Sequence, residues 1–497
     1  MATQTTPPSI DPVPSIARLA ATKVGTAPDR GSASCVAVLV DGDDGPVIGL
    51  DLDRERLAAA GFDGALGAAL VVPSGADPTI VAVGLGPAAD VDVDAVRTAA
   101  AAFARAASGH GELAIGLGGV PGLAAASGAQ AAVEGALLAR YAYDPLRSTT
   151  SRQALTGLTI VSDDEGAAAG AERGRALATA TALARDLANT PHSHMTASIL
   201  GDVAVAVAAD RGLDVEVFDK PALEAMGCGG LLGVNQGSTE PPRMIKLIYR
   251  PDGEPSGHLA FVGKGIMYDS GGLALKPGDE VHAQMKNDMS GAAAVLAAMA
   301  ELADVGCRSQ VTGYLMCTDN MPSGTALALG DVITMRGGTT VEVINTDAEG
   351  RLVMADALVL ATEDGVDAIV DIATLTGACM RALGTQVAGV IGNDQGLVDQ
   401  VRRAADAVGE PVWQLPLEPR YRRELDSTVA DLKNLGGANA GALTAGLFLA
   451  EFVGATPWAH IDIAGTAQSA GEAGWQTAGC TGFGARLLVA LAEGFAP

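Results

Sequence analysis

The chain has 497 residues, with 58 acidic and 32 basic side chains and a formal charge of −26. That balance repels nucleic-acid backbones and anionic membranes, and no apolar run reaches the roughly 18 residues of a membrane-spanning helix. Hydrophobic residues make up 48% of the chain but aromatic ones only 3%, so its large core must be packed from small side chains, as in layered α/β proteins.

The opening stretch "MATQTTPPSIDPVPS" has neither a basic n-region nor an apolar h-region and is no signal peptide. Its Thr and Pro content predicts a disordered tail over residues 1–15. Strand-like runs follow at 34–41, 69–74, 79–86, 112–119 and 157–163, with Ala-rich helical runs such as 93–109 between them. This alternation predicts an N-terminal α/β domain over 16–165. "VGLG" (83–86) falls short of a GxGxxG fingerprint and is read as turn geometry, not a nucleotide site.

Residues 166–190 are predicted as a linking helix, stopped where Pro191 disfavours helix at the preceding residue. A second domain over 191–497 carries strands near 214–218, 243–250, 258–263, 311–317, 340–345, 367–372 and 457–463. The expected fold class is therefore α/β, with two mostly parallel sheets, each flanked by helices, joined by a long helix. Cys35, Cys228, Cys307, Cys317, Cys379 and Cys480 are widely spaced without a CxxC and read as reduced thiols of a cytoplasmic protein.

Chemistry concentrates between residues 264 and 351. "VGKGIMYDSGGLALKP" places Lys264, Asp269 and Lys276 around Gly265, Gly271 and Gly272. "MKNDMSGAAAV" presents Asp288 before an Ala-rich helix, and "NTDAEGRL" supplies Asp347, Glu349 and Arg351, each two residues from the next. In an extended segment, residues two apart share a face, so these three are expected to converge on one cavity. Isolated buried charges cost several kcal/mol or more unless neutralised. Asp269, Asp288, Asp347 and Glu349 sum to −4, which two divalent cations balance at +4. A carboxylate-rich set suits Mg²⁺ or Mn²⁺, and Zn²⁺ in a tight geometry. Such a pair activates water and polarises a carbonyl or phosphoryl oxygen. Taken singly, each residue has a plainer reading: Asp288 as a helix N-cap, the lysines as solvated, Arg351 as the partner of Glu349.

These segments, together with "DIATLTGA", "NMPSGTA", "ADLKN", "WAHIDIAGTA" and "TGFGAR", resemble the leucyl aminopeptidase (cytosol aminopeptidase, M17) family over roughly residues 180–490. "NTDAEGRL" is that family's signature octapeptide. The resemblance implies Lys264, Asp269, Asp288, Asp347 and Glu349 as ligands of two divalent ions per subunit, with Mn²⁺, Zn²⁺, Mg²⁺ or Co²⁺ as candidates. It implies Lys276 as the cation facing the tetrahedral oxyanion, and Arg351 as the anchor of a bicarbonate that shuttles the proton. Met285, Thr374, Leu375 and Gly377 correspond to the pocket for the first side chain, favouring Leu or Met.

The implied activity is release of the N-terminal residue from short peptides by a metal-bound hydroxide, in a homohexamer acting on neither membranes nor nucleic acid. The alternatives are a narrow dipeptidase such as a cysteinylglycinase, or a DNA-binding regulatory role. Departures from the family pattern are an extra residue between Lys276 and Asp288, Asp319 where Glu is usual, Gln468 where an aromatic is common, a missing Arg-Pro before Gly330, and "NTPHSHMTA". His460 and Asp462 share a strand face and read as a structural polar pair. His192 and His194 read as loop residues.

Overall fold

The chain folds as two units, one formed by residues 13–182 with 470–478 and the other by 183–469 with 479–497 and, among the described residues, 10–12. The computed structural model describes residues 10–43, 47, 50, 52–72, 78–117, 120, 122–149 and 152–497. Residues 1–9 of the expected tail lie outside these, and a helix already begins at Pro14 (Pro14–Ala21).

In the N-terminal unit, β1 (Lys23–Ala27), β2 (Cys35–Val40), β3 (Ala69–Val72), β4 (Thr79–Gly84), β5 (Glu112–Gly116) and β6 (Gly157–Val161) form one sheet in the order β1-β6-β5-β2-β4-β3. All neighbours are parallel except the edge pair β3–β4. The short β1 escapes a sequence reading because its "KVGTA" has only one apolar side chain, Val24, large enough to signal a strand. The last residues of the expected strands 69–74 and 112–119 fall outside the described residues. The helices Val93–Ala106 and Ala125–Ala139 pack through alanines, with Ala99, Ala100, Ala132 and Ala136 fully buried. Small side chains let helix and sheet approach closely at interior density.

The helix Gly166–Asn189 is more than a tether. Its first half contributes Ala167, Ala171 and Ala178 to the core of the N-terminal unit. Its last turns belong to the second unit, where buried Arg185 donates to the Thr481 carbonyl at 2.9 Å. The return of residues 470–478 to the N-terminal unit has no sequence signature.

The second unit holds an eight-stranded mixed sheet. Its strands are β7 (Asp214–Phe218), β8 (Arg243–Tyr249), β9 (His258–Asp269), β10 (Gln310–Asn320), β13 (Ala368–Ala373), β14 (Ala388–Gly392), β15 (Val412–Gln414) and β17 (Trp458–Asp462). β11 (Val332–Thr334), β12 (Thr340–Glu342) and β16 (Leu432–Lys433) form a separate small sheet. In the large sheet the order is β15-β14-β17-β13-β9-β10-β8-β7. The four central strands, β17, β13, β9 and β10, run parallel, while the edges add antiparallel neighbours. β13 is buried at every residue, as expected of a parallel strand covered on both faces. β9 runs to Asp269, six residues beyond the expected end at 263, and so carries both Lys264 and Asp269 to the end of the sheet.

A candidate metal centre at the ends of the central strands

In open α/β sheets, ligands bind outside the carboxyl ends of the parallel strands, and the polar residues of 264–351 gather there. Lys264 and Asp269 come from β9, Lys276 from the loop after it, and Asp288 from the residue after the single helical turn Met285–Asn287. Asp347 sits in a turn, Glu349 immediately precedes the helix Gly350–Glu363, and Arg351 lies in its first turn. The expected mechanism of convergence is therefore corrected: residues 345–349 are not an extended strand, and a turn followed by a helix start brings the carboxylates together. Carboxylate oxygens of Asp269, Asp347 and Glu349 lie within 4.8 Å of one another, the only such cluster of three found among the described residues.

The two lysines are wedged between these acids. Lys264 Nζ lies 2.7 Å from an Asp288 oxygen and 2.8 Å from Glu349. Lys276 Nζ lies 2.7 Å from Asp269 and 2.5 Å from Asp347. Asp288 is no N-cap: the capping position of the helix Ser290–Glu301 falls to Met289, without a side-chain bond, and the Asp288 carboxylate faces Lys264 and the Thr374 hydroxyl, which donates to it at 2.7 Å. With the extra residue upstream in place, Asp288 lies against Lys264, which it shares with Glu349. Among the described residues Arg351 makes no ion pair with Glu349; it is 4% exposed, and its Nε and Nη1 have no hydrogen-bond partner.

Close backbone packing supports this crowding. A Cβ on Gly350 would lie 2.5 Å from Lys264 Cε, so a side chain there would push the lysine from its place between Asp288 and Glu349. Gly271 and Gly272 have φ of +88° and +63°, and a Cβ on Gly271 would approach Asp347 Oδ1 to 2.8 Å. Two supporting side chains escaped the sequence reading. Asn320, at the end of β10, donates to Asp269 at 2.8 Å and to the Thr346 carbonyl at 2.9 Å. Asn434 pins the Asp347 turn, accepting from Ile344 N and donating to the Asn345 carbonyl. Thr374 also accepts from Lys264 Nζ on its carbonyl at 3.0 Å. For Asn320 the signal available was polar residues closing the apolar strand in "LMCTDN"; "ADLKN" carries no comparable signal for Asn434.

Electrostatics record an imbalance. Burial, reinforced by Asp269, pushes Glu349 and Asp347 above the usual carboxylate range. Burial likewise raises Asp288 against the pull of Lys264. Burial opposes the Lys264 ammonium, yet Asp288, Glu349 and Asp269 outweigh it and raise its pKa. Burial lowers Arg351 to about 10. Against four carboxylates stand two lysines, −4 + 2 = −2. Three of the acids are thus held uneasily as anions, and the donor set is hard oxygen with one amine. Those residues fit divalent cations, which would lower the carboxylate pKa values again.

Of the pocket residues, Met285 and Thr374 are half-buried, Leu375 packs on the core of this unit, and Gly377 is exposed at the start of the helix Gly377–Leu383. The expected His460–Asp462 pair is corrected. His460 Nδ1 lies 2.5 Å from Asp371, its cross-strand neighbour on β13, and Trp458 Nε1 donates to the same carboxylate at 2.7 Å. Asp462 turns instead to residues 375 and 376. His192 and His194 form one turn of 3₁₀ helix. Asp319 accepts from Ser238 at 3.0 Å, and Gln468 donates to the Cys480 sulfur at 3.1 Å. All six cysteines are buried and free. No helix among the described residues is long and apolar enough to cross a membrane.

The same regions match known proteins. Residues 182–489 match the catalytic domain of the cytosol aminopeptidase family, and residues 54–150 its N-terminal domain. A probable cytosol aminopeptidase of Streptomyces avermitilis is 45% identical over 459 residues, covering 88% of each chain. One of Chlorobaculum tepidum is 48% identical over 328 residues, covering 66% of this chain and 65% of its own. Among solved structures, the bottromycin maturation enzyme BotP in complex with Mn superposes with a TM-score of 0.86 at 38% identity, over 93% of this chain and 99% of that one. A mutant of tomato leucine aminopeptidase gives 0.86 at 30% identity, over 95% and 96%. The chain belongs to the cytosol aminopeptidase (M17) family and is a leucyl aminopeptidase-type metallo-exopeptidase.

Proposed function

We propose that this chain removes the N-terminal residue, preferably Leu or Met, from short peptides at a centre of two divalent metal ions. The observation that carries this is the buried, under-neutralised set of Asp269, Asp288, Asp347 and Glu349 with Lys264 and Lys276 between them. Lys264, Asp269, Asp288, Asp347 and Glu349 would hold the ions, Lys264 as a neutral amine. When bound, such ions polarise the scissile carbonyl and activate a water. A Mn complex of one solved relative makes Mn²⁺ a first candidate, beside Zn²⁺, Mg²⁺ and Co²⁺.

The chain's own groups supply the rest. Lys276, partly exposed and freed from Asp269 and Asp347 once these serve as ligands, offers an ammonium to the oxyanion that develops on the substrate. Arg351, buried with two unpartnered nitrogens, suits a small planar oxyanion such as bicarbonate, which when bound there would take the proton of the attacking water and return it to the leaving amine. The carboxylate of Asp288 faces the Thr374 loop and favours a free α-amine there, which restricts cleavage to the first residue. Met285 and residues 374–377 wall the first side chain. The site belongs to a cytoplasmic homohexamer in this reading, with no membrane or nucleic-acid partner.

A second reading, a narrow dipeptidase such as a cysteinylglycinase on the same residues, draws support from the solved relative named for bottromycin maturation and not for general peptidase activity. The charge of −26 disfavours a DNA-binding role. The test is hydrolysis of Leu-p-nitroanilide after chelation and re-addition of each metal, beside its N-acetylated analogue. Metal-restored cleavage of the free amine alone is expected. Cleavage of the acetylated substrate would contradict the exopeptidase assignment, and turnover of Cys-Gly alone in a dipeptide panel would favour the second reading.

A further inference from the structure

The loop at residues 374–376 touches the acidic cluster twice: the Thr374 carbonyl accepts from Lys264 Nζ, and the Thr374 hydroxyl donates to Asp288. One carboxylate beneath it fixes its shape. Asp462, at the end of β17 and 2% exposed, accepts on Oδ1 from Leu375 N at 3.2 Å and Thr376 N at 3.4 Å. Its Oδ2 accepts from the Thr376 hydroxyl at 2.7 Å, and Oδ1 also accepts from Ala464 N at 3.1 Å. β17 and β13 are parallel neighbours with Asp462 opposite Ala373, so the carboxylate stands level with the point where the loop leaves its strand.

We infer that Asp462 is a positioning residue for substrate selection: by clamping Leu375 and Thr376 it sets where Thr374 meets Lys264 and Asp288, and so fixes the wall of the first-side-chain pocket. This rests on the proposed reading of residues 374–377 as that wall. Helix capping alone does not account for the carboxylate. The N-terminus of the helix Gly377–Leu383 is capped by Thr376 Oγ1, which accepts from Cys379 N at 2.9 Å. The hydroxyl proton of Thr376 goes to Asp462, so this threonine couples the helix start to the buried anion. Asp462 forms no ion pair with Lys or Arg among the described residues; four loop donors hold its carboxylate, while Arg351 and His460 feel its charge. Buried carboxylates satisfied by several fixed N–H and O–H groups hold a loop to one geometry.

The test compares wild type with Asp462→Ala and Asp462→Asn in the full chain. The first readout is amide hydrogen exchange of the peptide spanning residues 374–378 in metal-free protein. The second is kcat and KM for Leu- and Ala-p-nitroanilide. In Asp462→Ala, exchange at Leu375 and Thr376 rises about tenfold or more, and the Leu-over-Ala preference in kcat/KM falls about tenfold, carried mostly by KM. Asp462→Asn retains an acceptor for the two amides and recovers part of both. If Asp462→Ala fails to fold, Thr376→Val against Thr376→Ser reads the same clamp, with selectivity lost in the first and kept in the second. Unchanged preference in a folded Asp462→Ala or Thr376→Val overturns the inference, whatever exchange does. A wild type that cleaves no free-amine substrate with any metal removes the underlying reading of the pocket as well.

Discussion

The buried Arg97–Glu134 pair of the N-terminal unit and the acidic cluster of the second unit hold charge in opposite ways. In the N-terminal unit, Arg97 and Glu134 are fully buried, with Arg97 Nε 2.7 Å from Glu134 and Asp94 taking another guanidinium nitrogen. Gln130 donates to the remaining Glu134 oxygen at 2.8 Å. One buried cation meets one buried anion, and the polar atoms of the acid are served locally. In the second unit, four acids face two lysines, and Arg351 stands by with unpartnered nitrogens. A balanced buried pair is a packing device. An unbalanced one marks a place where something else brings charge.

The comparison breaks most sharply at Glu349. Glu349→Ala should abolish turnover and lower metal content together, measured by peptidase assay and elemental analysis; full metal content with retained turnover would contradict its role as a ligand. Arg97→Ala should do the converse. It leaves Glu134 buried without its cation, costing about 3–5 kcal/mol of stability, yet the folded fraction keeps its kcat/KM. Denaturant titration and active-site-normalised kinetics separate the two. Lys276→Ala should lower kcat by about 10²–10³ with metals retained, the range for one lost oxyanion donor. An unchanged kcat takes Lys276 out of the mechanism.

The smallest effect concerns the His460–Asp371 pair. Burial opposes the imidazolium, but Asp371 outweighs it, so the folded pKa lies above the ordinary 6.5. A raised pKa means the folded state binds the proton more tightly than the unfolded state. The stabilisation is therefore complete below about pH 6.5 and lost as pH rises through the folded value. Unfolding midpoints measured from pH 6 to 9 should fall less steeply in His460→Gln than in wild type.

Much of this was legible in the chain. Paired glycines, lysines at strand ends and "NTDAEGRL" announced the acidic cluster because no ordinary core tolerates such residues together. What could not be read was how they meet. A two-residue spacing suggested one strand face for Asp347, Glu349 and Arg351, but the turn at 345–348 and the helix start decide the geometry. The same spacing suggested that His460 partners Asp462, whereas strand pairing set Asp371 beside it. Cross-strand neighbours are defined by sheet order, which sequence separation does not encode. Helices were visible where Ala-rich runs marked them, at 93–109, after Asp288 and at 166–190 with its stop before Pro191. The short strands β11, β15 and β16 have too few residues to show a period.

The central claim is that divalent cations complete the buried acidic cluster. It is tested most directly by counting metal per subunit in the intact protein by native mass spectrometry, before and after chelation and reconstitution with Mn²⁺. The account predicts two ions per subunit, regained on reconstitution together with activity. Full activity with the ions removed would contradict it.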